Sequence, residues 1–243
     1  MQSITKKLFP TLVAVCVMSV VGSATASAYT NPILENAKGE HASKVKFTGK
    51  ATDTAVPVTD RFTGQYECGG GETSTGELST TGTGVAATTS GTATLVFKGC
   101  RELRSGTKGG EFVMKVAMSL VWLGKESEER LGWLVSIPPE SKQPGNGEGG
   151  KLKYTDHGAE NELEGGFVAE LSRELGETFT IEHLSARSEE IKQEYTKYTE
   201  EGKEQESILW NRWYELDKEP FEKAVTNIDE EQTLAEAVKI VKS

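Results

Sequence analysis

The sequence predicts a mainly β protein, built as an antiparallel β-sandwich or as paired sheets, with short helices as an alternative in the C-terminal third. Three observations favour this class: several segments alternate apolar and polar residues, runs rich in Gly and Thr join them, and two apolar runs flank one charged turn. Alternation is typical of half-buried strands, and Thr and Gly suit exposed pleats and turns. A chain of 243 residues can bury a substantial core.

The first 28 residues have the pattern of a secretory signal peptide. Lys6 and Lys7 precede an apolar run from Leu8 to Val21, and small residues at alternate positions lead up to Ala28. The apolar run is shorter than the ~20 residues of a membrane-spanning helix, which disfavours the alternative of an uncleaved anchor. We therefore expect cleavage after Ala28 and a protein that is secreted or held at the cell surface.

Removal of the signal peptide would leave two cysteines, Cys68 and Cys100, which we expect to form a disulfide bond. An even number of cysteines suits an oxidising compartment, and two free thiols are the alternative. Between them lie the turn-forming run Gly69–Gly71 and an alternating segment that ends at Cys100. This stretch is therefore predicted to be a β-hairpin closed by the disulfide.

The mature chain divides into a leader and one larger domain. Residues 29–43 lack either period and are predicted to be a flexible leader, and residues 44–243 are predicted to be one β-rich domain that begins with a strand from Lys44 to Ala51. The segment 141–150, SKQPGNGEGG, is typical of a loop or a sub-domain break.

The strongest hairpin pattern joins the runs Phe112–Leu123 and Leu131–Ile137 through a charged turn. Both runs are rich in large apolar residues, so we expect this hairpin to lie in the centre of the core. Its tryptophans, Trp122 and Trp133, are accordingly predicted to be core residues rather than ligand contacts.

The last seventy residues leave strand and helix open. Ile191, Tyr195 and Tyr198 have helical spacing in a segment rich in Glu and Lys, which favours a helix. In contrast, the segment just before them alternates, and Gly202 and Pro220 would interrupt a long helix.

Several short motifs resemble an uncharacterised family of secreted, β-rich proteins from actinobacteria. The motifs are TLVFKGC, GGEFVMKVAMSLVWLGKESEERLGWLV, IKQEYTKYTEEGKEQ, EPFEKA and TLAEAVKIV. The resemblance covers most of residues 44–243. It implies strands at Glu190–Tyr198, Ser207–Tyr214 and Ala235–Lys242, and it brings no known catalytic residues.

Charge and motifs exclude several functional classes. The formal net charge of −10 argues against nucleic acid and anionic membranes as main partners. His41, His157 and His183 are scattered without metal-ligand spacing, so we expect no metal site. The chain has no G-x-S-x-G motif and no dinucleotide-binding loop, and we expect no cofactor.

Aromatic residues near the C-terminal end are the candidate ligand contacts. Flat aromatic rings on a rigid β-face can stack on sugar rings, and Trp210, Trp213 and Tyr214 cluster in one short segment. The sequence therefore predicts a noncatalytic surface or extracellular-matrix module that binds envelope polysaccharide or a protein partner.

The alternative hypothesis is a secreted carbohydrate-active hydrolase that uses two carboxylates across a cleft. The candidate acids are Glu111, Asp156, Glu160, Glu162 and Glu164. With 37 acidic residues in the chain, neighbouring acids also arise by chance on a solvated surface. The sequence therefore names no catalytic pair, and an enzyme is not the expected class.

Overall fold

The computed structural model describes most of the chain after residue 28, namely residues 29–53, 55–60, 64–102, 108–124, 129–137, 151–156, 159–189, 192–213 and 222–243. The signal peptide predicted at 1–28, the loop predicted at 141–150 and Tyr214 lie outside these segments. Among the described residues, no helix is both long and apolar enough to cross a membrane.

The described segments form seventeen β-strands and one short 3-10 turn at Gly84–Ala86. The strands are β1 (Pro32–Asn36), β2 (Val45–Ala51), β3 (Val56–Asp60), β4 (Gly64–Cys68), β5 (Glu72–Thr81), β6 (Thr88–Glu102), β7 (Lys108–Leu123), β8 (Leu131–Ser136), β9 (Lys151–Asp156), β10 (Ala159–Leu171), β11 (Thr178–Ala186), β12 (Ser188–Glu189), β13 (Lys192–Gln193), β14 (Lys197–Glu200), β15 (Lys203–Glu206), β16 (Leu209–Trp213) and β17 (Glu222–Lys242).

Eight of these strands close into an antiparallel barrel in the order β2, β5, β6, β7, β8, β10, β11 and β17, with β17 pairing back to β2. The mainly β class is confirmed, but the predicted sandwich or pair of sheets is wrong. Alternation along a strand defines its buried face, whereas closure depends on which distant strands meet at the sheet edges. Here the β6–β7 and β17–β2 pairs join edges that a sandwich would leave open.

The helices considered for the C-terminal third are absent, because the described residues there form strands and turns with no α-helix. In β17, Ile228, Glu230, Gln232 and Leu234 are buried at alternate positions, as expected for a strand with one face toward the barrel interior. Long-range pairing with β11 and β2 therefore overrides the helical propensity of this Glu-rich segment.

The residues for which the sequence predicts a flexible leader, 29–43, instead include β1, which pairs with the end of β17. Ile33 and Leu34 are buried there. The Asn31 side chain donates to the Ala87 carbonyl at 3.2 Å and accepts from the Glu201 backbone N–H at 3.1 Å. Sequence periodicity misses this strand because it spans only five residues.

The two hairpins predicted from the sequence are confirmed. β5 pairs with β6 along its whole length, and Cys68 of β4 forms a disulfide bond with Cys100 of β6, as expected. β7 pairs with β8, and their tryptophans Trp122 and Trp133 are 1% and 0% exposed. These tryptophans are therefore core residues, which leaves the third tryptophan-bearing strand, β16, as the aromatic candidate for binding.

Candidate functional site

A groove on the outer side of the barrel is the best candidate site, because it brings aromatic, acidic and hydroxyl side chains together. Its volume is about 590 Å³. It lies between β8, β10, the β14–β15 hairpin and the segment that enters β16. The residues that line it are Leu134, Ser136, Ile137, Glu164, Gly165, Gly166, Tyr198, Glu206, Ser207, Ile208 and Trp210.

The groove exists because β10 changes partners at Gly165–Gly166. The part of β10 before this point pairs with β9 and β16, and the part after it pairs with β8 and β11. Gly165 has φ +88°, and a Cβ there would lie 2.1 Å from the Ile208 carbonyl oxygen. Only glycine allows the Ile208 segment to cross so closely. β10 continues through this point without a break.

Two aromatic residues from different strands lie on the groove wall. Trp210 of β16 is half-buried and pairs in register with Glu164 of β10. Tyr198 of β14 is largely buried, and its hydroxyl donates to the Gln205 side chain at 3.0 Å. Burial, followed by the nearby charge of Glu200, raises the pKa of Tyr198, so its hydroxyl stays protonated.

The charge of the groove is negative. Glu164 and Glu206 line it, whereas none of its lining residues within the described part of the chain is Lys, Arg or His. The chain as a whole has a formal net charge of −10. An anionic ligand would therefore meet like charge in the groove, and a neutral or cationic ligand fits it better.

A smaller cavity of about 230 Å³ lies behind the segment that leads into β16. It shares Gly166, Glu206, Ser207 and Ile208 with the groove. Its most buried polar side chain, Gln193, donates to the Arg187 carbonyl at 2.8 Å and accepts from the Thr226 backbone N–H at 3.1 Å. Because these two bonds already engage the Gln193 amide, this cavity has fewer polar groups left to bind a ligand than the groove has.

The structure brings two of the candidate residues named from the sequence, Trp210 and Glu164, together in the groove. Trp210 lines the groove, whereas Trp213 is the last residue of β16 and pairs with Asn161. Tyr214 lies outside the described residues. Of the candidate acids, Glu164 lies in the groove and Glu111 is exposed on β7.

Sequence reasoning missed Tyr198 and Glu206 as groove residues. The spacing of Tyr198 suggested a helix, and Glu206 stood in a run of charged residues. Both reach the groove because β14 pairs with β7, far away in sequence, and β15 folds back on β14. No local signal in the sequence indicates this pairing.

No protein-family model, no curated protein and no solved structure matches this chain. Within the part of the chain that the structure describes, no group of three or more His, Cys, Asp or Glu side chains is placed to hold a metal ion.

Proposed function

We propose that the protein is a noncatalytic, secreted surface or extracellular-matrix module that binds a neutral polysaccharide in the groove beside Trp210. The observation that carries this proposal is the joint presence of Trp210, Tyr198, Glu164 and Glu206 in one open groove. Export would follow from the signal peptide predicted at residues 1–28.

The side chains of the groove suit the two faces of a sugar ring. The apolar face of a pyranose can stack on an indole, which is rigid and only half-buried at Trp210. The ring hydroxyls are donors, and the carboxylates of Glu164 and Glu206 are strong acceptors. This combination of one aromatic platform with a few polar groups is typical of small-ligand sites.

None of the described residues that line the groove is basic. This limits the class of polysaccharide that can bind there. A phosphate-rich or uronic-acid polymer would have to approach the two glutamates that line the groove, Glu164 and Glu206. Neutral or amino-sugar polymers avoid this repulsion. We therefore expect binding to neutral envelope glycans and weak binding to anionic ones.

Replacing Trp210 by alanine should reduce the polysaccharide affinity about tenfold, because it removes a stacking contact of roughly 1–2 kcal/mol. The measurement is a pelleting assay in which the mature chain is mixed with isolated insoluble cell-envelope polysaccharide and the bound fraction is quantified over a concentration series. Trp210→Phe should retain most of the affinity, since a ring remains.

Val85→Ala is the matched control, because Val85 is an exposed apolar residue on the turn before β6. Its affinity should equal that of the wild type. Equal pelleting of Trp210→Ala and wild type would remove the groove from the proposal. Failure of the wild type to pellet would overturn polysaccharide binding and direct the search to a protein partner.

A carbohydrate-active hydrolase is the second candidate, because Glu164 and Glu206 line the same groove as Trp210. Two carboxylates across a cleft are the minimal machinery of a glycosidase. The discriminating readout is the reducing sugar released in the same incubation. A binding module releases no reducing sugar. A hydrolase releases reducing sugar, and either Glu164→Gln or Glu206→Gln should abolish that release.

A further inference from the structure

Three glutamates lie inside the barrel, away from the groove. Glu72 of β5 is 0% exposed, and Glu182 of β11 and Glu230 of β17 are each 1% exposed. A buried charged carboxylate is costly unless a cation or several hydrogen-bond donors accompany it. The hydrogen-bond donors and charged groups beside these three carboxyl groups therefore indicate whether a further ligand must accompany them.

The strand register places the three acids side by side on the inner wall. Glu182 pairs with Gln232 on β17, Gln232 pairs with Gly49 on β2, and Gly49 pairs with Ser74 on β5. Glu230 lies one inward position from Gln232, and its carboxylate accepts a hydrogen bond from the Ser74 hydroxyl.

Gly49 is required for this arrangement. A Cβ at Gly49 would lie 1.6 Å from Glu230 Oε1 and 2.3 Å from Ser74 Oγ. The missing side chain leaves the space in which the Glu230 carboxylate lies. The Glu72 carboxyl group is close enough to Glu230 for their charges to interact, although neither oxygen of Glu72 has a hydrogen-bond donor among the described residues.

Acceptors outnumber donors in this cluster. Both carboxyl oxygens of Glu72, Oε1 of Glu182 and Oε1 of Gln232 have no hydrogen-bond donor among the described residues. Gln232 is 2% exposed. The indole N–H of Trp133, on β8 two strands from β11, is near Glu182 but does not complete a hydrogen bond. A ligand that supplies donors or positive charge is needed to balance the cluster.

We propose that the barrel interior is a proton-binding site, in which Glu72 and Glu230 share one proton and Glu182 holds a second, so that the closed barrel loses stability as the pH rises above the range in which unfolded glutamates are protonated. A proton on one carboxyl supplies the donor that the contact between Glu72 and Glu230 lacks. A second proton makes Glu182 neutral in its enclosed position.

A proton fits this site better than a metal ion. The acids do not form a group that could hold a metal, within the part of the chain that is described. The neighbouring inward residues Leu95, Phe97 and Leu184 are apolar and buried. The cation that acts on Glu182 is Arg173, which also donates to the Ile181 carbonyl and stacks on the Phe179 ring at 5.1 Å.

The protonation equilibria of the acids support this arrangement. Burial, followed by the charge of the neighbouring Glu230, raises the pKa of Glu72 to about 10. Burial raises the pKa of Glu182 to about 8; the Glu230 charge raises it further, while Trp133 and Arg173 act in the opposite direction. Both acids titrate near 4.5 when unperturbed. Their stabilisation is therefore complete below that value and is lost as the pH rises through about 8 and about 10.

The test is equilibrium urea unfolding of the mature chain between pH 5 and pH 10. A folded state that holds two more protons than the unfolded state loses about a hundredfold in its folding constant per pH unit, and one that holds a single extra proton loses about tenfold. We expect the steeper dependence below about pH 8 and the shallower one above it. Glu72→Gln keeps the shape and supplies an amide donor, so it should show only the tenfold dependence below pH 8.

Glu236→Gln is the matched control, because Glu236 is exposed on the same strand as Glu230; its pH dependence should equal that of the wild type. A wild-type chain with no loss of stability over this range would overturn the proposal. So would stabilisation by Ca²⁺ or Mg²⁺ at pH 9 as large as that produced by lowering the pH, because a metal would then be the ligand.

Infrared spectroscopy of the folded wild type at pH 7 tests the proposal even if Glu72→Gln does not fold. The C=O stretch of protonated carboxylic acids should be present at pH 7 and should weaken in Glu182→Gln. Its absence at pH 7 in the wild type would show that the acids carry no proton, which would overturn the proposal.

Discussion

The Gly91→Ala variant should lose at least about 3 kcal/mol of its free energy of unfolding, because the new methyl group has no room. A Cβ at Gly91 would lie 2.0 Å from the Glu77 carbonyl oxygen and 3.0 Å from the Leu78 Cα, both backbone atoms of the neighbouring strand. Gly91 pairs with Leu78 on β5 and with Met118 on β7. Two strands of the barrel must therefore move apart to admit the methyl group.

The measurement is thermal unfolding, in which a loss of this size lowers Tm by roughly 6–12 °C in a domain of this length. Gly69→Ala is the matched control, since a Cβ there meets no atom within 4 Å, and its Tm should stay within about a degree or two of the wild-type value. A Gly91→Ala variant as stable as Gly69→Ala would contradict the β5–β6–β7 register.

Removal of the disulfide should have a second large effect. The Cys68→Ala/Cys100→Ala double variant should lose about 3–4 kcal/mol, because the bond closes a loop with a sequence separation of 32 residues. The same bond ties β4 to β6. Equilibrium urea unfolding under oxidising conditions measures the difference from the wild type.

The control for this variant is the wild type with a reducing agent. Reduction should lower the wild-type stability by a similar amount and should leave the double variant unchanged. A double variant as stable as the oxidised wild type would show that strand pairing alone holds β4 in place.

Local patterns predicted the parts of this fold that depend on neighbouring residues. Alternation and a charged turn located the β7–β8 hairpin, and the number of cysteines outside the predicted signal peptide indicated the Cys68–Cys100 bond. Barrel closure depends on pairs such as Leu234 with Phe47, which lie almost two hundred residues apart. No periodicity within one segment carries that information, and a sandwich and a barrel therefore look alike in sequence.

The candidate groove was only half visible in the sequence. Trp210 stood out as an aromatic residue in a polar segment, whereas Tyr198 and Glu206 are brought to it by strand pairing. The interior acids Glu72 and Glu230 were harder to detect, because polar residues occupy both faces of their strand segments. Alternation cannot show which face is inward where neither face is apolar.

The length and position of β17 bear on how this protein folds. β17 pairs with β1, β2, β3, β11 and β16, and it is the last of the described strands. The barrel wall stays open between β11 and β2 until β17 pairs with both strands. Contacts over such long sequence separations are typical of slow folding, in milliseconds to seconds. Closure should therefore be a late and cooperative step, in which the earlier strands have no stable native arrangement until β17 joins them.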